Sequence, residues 1–173
     1  DVYKRQNIQS RSLELCLIFS IPASLGLILA SEEIVNALFG YGSFTIENIN
    51  MTALALKFFG YGVPAFALVK ILSNFFFARN NTKIPFYISS IIVFLNIVIS
   101  LSFFKNVGFI IIPIATSIST WIGVIIYIVM LNKNNILKLK SYLLKNIAKI
   151  IFNSILMSII LVFMLNYFTE FLD

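Results

Sequence analysis

Lys70 asks most insistently for a chemical explanation. It lies within an apolar run, roughly eight residues from the run's basic end and so about 12 Å deep at helical rise. An ammonium there is costly unless it is paired or faces water. It is either a cavity-facing cation or a long stem that snorkels to the interface. Arg79, at the end of the same run, is the second candidate for a cation on a transport path. Lys57 sits only a turn inside the opposite end, where snorkelling suffices.

Asn96 and Ser100 are four residues apart and share a helix face in an otherwise apolar run. Thr116, Ser119 and Thr120 form a similar polar stripe in the next run. Amide, hydroxyl and carbonyl oxygens are the ligands that a hard cation such as Na⁺ takes. Hydrogen bonding between helices accounts for the same residues without an ion. Glu14 has Arg11 three residues before it on one face, and a local ion pair is expected between them.

Other chemistry lacks its residues. The chain has no His and one cysteine, Cys16, which excludes His-centred catalysis, Cys/His zinc sites and an internal disulfide. Paired intramembrane carboxylates, a nucleophile beside a base and a phosphate-cradling glycine loop are all missing from the sequence. An enzyme is therefore not expected. The net charge of +6 sits on residues flanking apolar runs, which orientation in a bilayer explains better than nucleic acid does.

The elements that must hold these residues are membrane helices. Of the 173 residues 60% are hydrophobic and 12% charged, with mean hydropathy +0.96. No Asp, Glu, Lys or Arg occurs in 15–31, 84–104, 106–132 or 150–169, and a span takes about 17–25 apolar residues. The expected class is an all-α integral membrane protein with five transmembrane helices. Their expected ranges are 13–30, kinked at Pro22; 52–78, broken or bent by Lys57, Gly60, Gly62, Pro64 and Lys70; 85–104; 107–131; and 150–168. Between the first two, 31–51 is expected to be a loop carrying a short interfacial helix that ends at Gly40 and Gly42. The remaining connections are 1–12, a turn at 79–84, a tight turn at 105–106, a basic linker at 132–149 and the end at 169–173. In that linker Lys138, Lys145 and Lys149 share a helical face opposite Ile136, Leu139, Leu143 and Ile147, a pattern suited to an anionic inner leaflet.

Orientation follows from the basic residues. With the N-terminus inside, Lys4, Arg5, Arg11, Arg79, Lys83, Lys133, Lys138, Lys140, Lys145 and Lys149 are inside and only Lys105 is in an outside loop. Glu32, Glu33, Glu47, Glu170 and Asp173 then fall outside. The chain is expected to run N-in, C-out as an internal fragment of a larger polytopic protein, and residues 1–6 resemble translated adapter sequence foreign to the gene.

Three segments carry a family resemblance: Ile21-Pro22-Ala23-Ser24-Leu25; Leu38-Phe39-Gly40-Tyr41-Gly42-Ser43-Phe44-Thr45; and Phe76-Phe77-Ala78-Arg79-Asn80-Asn81-Thr82-Lys83-Ile84-Pro85. In residues, order and spacing they resemble the MurJ/MviN lipid II flippases of the MOP transporter superfamily. The resemblance implies that the chain covers helices nine to thirteen of about fourteen. The implied activity is movement of the undecaprenyl-pyrophosphate-linked peptidoglycan precursor, lipid II, from the inner to the outer leaflet by alternating access, driven by membrane potential or ion coupling. The implied setting is the bacterial inner membrane, as a multi-pass monomer whose partners are lipid II and membrane lipids. No nucleic acid is implied.

The resemblance also implies residue roles. Asn96, the carbonyl of Ile112 and Thr116 match positions that hold sodium in some members, while Ser100 stands where those members carry an Asp and so removes a charge. Sodium is the one ion the resemblance suggests, and no other cofactor is implied. Lys70 matches a lysine that recurs in the tenth helix. The arginines thought to hold the pyrophosphate lie in the first, second and eighth helices, outside this chain, so the segment carries scaffold and the groove expected for the lipid tail. Competing readings are another MOP exporter of polysaccharide units or drugs, a membrane-embedded glycosyltransferase or acyltransferase, and a structural membrane subunit. The Phe76–Pro85 segment argues against the first, and the scarcity of carboxylates and lack of His against the second.

Overall fold

The computed structural model describes residues 2–42, 45–134, 136 and 141–172, with side chains described between 7 and 167. Among these residues the chain is helical, with no strand: α1 (Val2–Leu29), α2 (Ser31–Phe39), α3 (Ile46–Phe77), α4 (Lys83–Val107), a 3₁₀ turn (Gly108–Ile110), α5 (Ile111–Lys133) and α6 (Ser141–Leu172). Four stretches are long and apolar enough to cross a membrane: Asn7–Leu29, Ile46–Phe77, Lys83–Lys133 and Tyr142–Tyr167. The third is 51 residues long and folds back on itself, so that α4 packs along α5. It therefore holds two spanning helices. The reversal occurs at Gly108, whose φ of +73° and ψ of −153° are open to glycine and strained for any L side chain.

α3 and α4 begin before their apolar runs, where a side chain caps the first turn. α3 starts at Ile46, since the Thr45 hydroxyl accepts the backbone N–H of Asn48 at 3.3 Å and Glu47 lies in the first turn. α4 starts with the Asn81 side chain accepting the N–H of Ile84 at 3.3 Å, and Pro85 in the first turn gives up no intrahelical bond. α6 begins at Ser141, so Lys145 and Lys149, expected in a linker, lie on helix. There Leu143 is buried and Ile147 packs on the core, opposite these exposed lysines. Lys138, Leu139 and Lys140 lie outside the described residues, as do Ser43 and Phe44 and the side chains of Lys4, Arg5, Glu170 and Asp173.

Each long helix packs on its neighbours in a row ordered α6, α1, α3, α5, α4, with α2 folded against α3. A hydrophobic core lies at the basic end, where Leu13, Leu72, Phe76, Ile88, Tyr127 and Leu143 from all five long helices are buried together. α1 and α3 come close at Gly60, where a Cβ would stand 2.9 Å from Ile28 Cγ1.

Of the break or bend expected in α3, the break is corrected here. α3 is neither broken nor interrupted at Pro64 but helical throughout Ile46–Phe77. Pro64 has no N–H for the carbonyl of Gly60, four residues earlier. The Ser24 hydroxyl of α1 donates to that carbonyl at 2.7 Å instead, in a buried contact. A neighbouring helix thus supplies the bond that the proline removes, which is how membrane helices tolerate one.

Candidate functional site

Asn96 and Ser100 of α4 and Ile112, Thr116, Ser119 and Thr120 of α5 form one connected cluster. The Asn96 amide Nδ2 donates to Thr116 Oγ1 at 2.8 Å, and the Thr116 hydroxyl donates to the Ile112 carbonyl at 2.7 Å. Ser100 Oγ donates to Asn96 Oδ1 at 3.2 Å. Ser119 and Thr120 donate to the Thr116 carbonyl at 3.1 and 2.7 Å. The reversal at Gly108 brings Asn96 level with Thr116, 20 residues later. All four residues expected around an ion therefore meet in space.

As placed, this cluster is a closed set of hydrogen bonds that ties α4 to α5. Its oxygens are neutral, and no group of three His, Cys, Asp or Glu side chains among the described residues could hold a metal. Asn96 presents nitrogen, not oxygen, to Thr116. Turning the amide over would bring Oδ1 toward Thr116 Oγ1 and the Ile112 carbonyl, giving three neutral ligands suited to a monovalent hard cation. Charge compensation would have to come from outside the described residues.

The basic candidates lie elsewhere. Lys70 is exposed on α3, the middle helix of the row, and Ser73 Oγ donates to its backbone carbonyl at 2.9 Å. Arg79 lies just beyond the end of α3 and its Nη1 donates to the Phe75 carbonyl at 3.2 Å. A cation capping a helix C-terminus is favoured by the carbonyls left free there. Arg79 also lines a cavity of ≈220 Å³ with Ile8, Gln9 and Phe75.

Two arrangements escape sequence reasoning. The first surrounds Pro64: besides Ser24 on Gly60, Ser117 Oγ donates to the Phe58 carbonyl at 2.7 Å and Trp121 Nε1 to the Tyr61 carbonyl at 3.0 Å. α1 and α5 thus hold the same stretch of α3 from two sides. Pro64 was the available signal, since it frees the carbonyl four residues before it. The second is Glu14, whose Oε1 accepts Asn146 Nδ2 of α6 at 2.9 Å. Among the described residues the expected Arg11 pair is not formed, and the carboxylate joins α1 to α6 instead.

Along the α1–α6 seam lie two open apolar cavities, ≈190 Å³ around Ile18, Pro22 and Met157 and ≈370 Å³ around Leu25, Ile155 and Ile159.

The family profile described as lipid II flippase MurJ matches residues 1–172, a stretch that includes the opening six. A probable lipid II flippase MurJ of Rickettsia prowazekii (strain Madrid E) is 32% identical over 172 residues, covering 99% of this chain and 34% of that protein. Lipid II flippase MurJ of Thermosipho africanus (strain TCF52B) is 30% identical over 162 residues, covering 94% of this chain and 31% of that protein. A solved structure, lipid II flippase MurJ in an inward closed conformation, superposes with a TM-score of 0.83 and 28% identity, over 100% of this chain and 35% of that one. The chain spans about a third of the length of these relatives. With several apolar helices and this likeness along its whole length, it is a multi-pass membrane protein, and it belongs to the MurJ lipid II flippase family.

Proposed function

We propose that this chain is part of a flippase that carries lipid II across the bacterial inner membrane, as a monomer and by alternating access, without making or breaking covalent bonds. The observation that carries this reading is the match of the whole five-helix row to a lipid II flippase at TM-score 0.83.

The geometry suits that cargo in two ways. A lipid-linked pyrophosphate needs a cation on a face that water can reach within the membrane, because the low dielectric there makes an unpaired charge costly. Lys70, exposed on the middle helix of the row, supplies one. The isoprenoid tail needs an apolar surface, and the cavities along the α1–α6 seam supply it.

The α4–α5 cluster has a mechanical role in this reading. Its hydrogen bonds make two helices move as one body. A sodium ion at Asn96, Ile112 and Thr116 would strengthen the same junction after the amide turns, with a carboxylate from outside the described residues balancing its charge.

The test is complementation. A cell depleted of its own flippase should regain growth and shape when it expresses the whole protein carrying this chain. Failure, with the protein present and folded in the membrane, would overturn the proposal.

A further inference from the structure

At the acidic end of the row, α1, α2 and α3 border an open pocket of ≈500 Å³. Its polar wall holds Ser31, Glu32, Glu33, Asn50 and Lys57. Glu32 and Glu33 occupy the first turn of α2, where carboxylates suit the helix dipole. That placement accounts for the two acids but not for Lys57, which comes from α3 and lines the same pocket. Among the described residues no ion pair within 4.0 Å joins Lys57 to either carboxylate. Ser31 is 5% exposed, lines this pocket and makes no side-chain hydrogen bond to the described chain.

Opposite charges that share an interfacial pocket without pairing are complementary to a ligand carrying both signs at a fixed spacing. We propose that the pocket binds the phosphoethanolamine headgroup of an outer-leaflet phospholipid. The primary ammonium lies between Glu32 and Glu33, with the Ser31 hydroxyl as a further acceptor, and the phosphodiester lies against Lys57. Three N–H donors meet two carboxylates and a hydroxyl, a charge-assisted set that a quaternary ammonium cannot make. The carboxylates outnumber the lysine, which disfavours a headgroup bearing only negative charge. Ile28 and Leu54 form an apolar wall beside the polar one. That wall suits the glycerol and first acyl carbons, so the ligand is a lipid and not a soluble amino-phosphate.

The proposal stands apart from what the flippase carries and is tested by binding alone. The whole protein carrying this chain is purified in detergent. It is titrated with dioctanoyl phosphatidylethanolamine, phosphatidylcholine and phosphatidylglycerol, and binding is read by native mass spectrometry. Phosphatidylethanolamine should bind about tenfold more tightly than either other lipid. The Glu32→Gln/Glu33→Gln variant should lose that preference, and Lys57→Met should weaken phosphatidylethanolamine and phosphatidylcholine alike. Equal binding of the three lipids to the unaltered protein, which needs no variant to fold, would overturn the proposal. So would a preference that survives Glu32→Gln/Glu33→Gln. Soluble O-phosphoethanolamine should not compete at equal concentration, and full competition would overturn the assignment to a lipid.

Discussion

The hydroxyl of Ser24 on α1 donates to the carbonyl of Gly60 on α3 at 2.7 Å, and this carbonyl is the one that Pro64 leaves without a helical donor. Two helices are joined at the point where one of them would otherwise leave a backbone carbonyl without a partner. The close approach at Gly60 puts Ser24 within reach, because any larger residue at 60 would meet Ile28.

Ser24→Ala should therefore destabilise the whole protein by about 1–3 kcal/mol, the cost of a buried acceptor left unsatisfied. Restoring the backbone donor with Pro64→Ala should recover most of the loss. Thermal unfolding of both single variants and the double variant measures this, and simple additivity of the two changes would contradict it.

The Asn96–Thr116 bond should couple α4 to α5 by about 0.6–2 kcal/mol in a double-mutant cycle of Asn96→Leu and Thr116→Val. The coupling should persist without sodium, since the bonds of the cluster close on one another. If sodium also binds there, adding it should raise the melting temperature of the unaltered protein and leave that of Asn96→Leu unchanged. A melting temperature that ignores sodium in both would remove the ion while leaving the junction intact.

Much of this fold is legible in residue types, and its junctions are not. Long runs without charge mark four of the five spanning helices, the other being the apolar run that carries Lys57 and Lys70, and basic residues crowd one end of them. Polar spacing puts Asn96 with Ser100 on one face and Thr116 with Ser119 and Thr120 on another. Only the reversal at Gly108 decides that the two faces meet. Glu14 shows the limit most clearly. Arg11, one turn away, is the obvious partner from sequence, yet the carboxylate takes Asn146, 132 residues on, because α6 packs beside α1. Local spacing sets which contacts a helix can make with itself, whereas the order of helices in the row sets which it makes with others. α3 begins six residues before the apolar run expected to span, because hydropathy marks the part suited to the membrane whereas the Thr45 cap sets the helix start.

The basic end of the row should face the cytoplasm. In a protein with Cys16 replaced by Ala, Asn80→Cys should react with a membrane-impermeant thiol reagent only after the membrane is opened, and Glu47→Cys should react in intact spheroplasts. The reverse pattern would invert the topology drawn from the lysines and arginines.

Lys70→Ala should impair growth of a flippase-depleted cell without lowering the amount of protein in the membrane, and Lys70→Arg should retain part of the function because it keeps the charge. Full growth with Lys70→Ala at equal expression would assign the lysine to the interface and not to the transport path.

The most direct measurement follows lipid II itself. In cells depleted of their own flippase and expressing the whole protein carrying this chain, lipid II should become accessible at the outer face of the inner membrane, with a rate that rises with the amount of protein. If the protein is folded in the membrane at normal levels and lipid II stays at the inner face, this chain does not form part of a lipid II flippase.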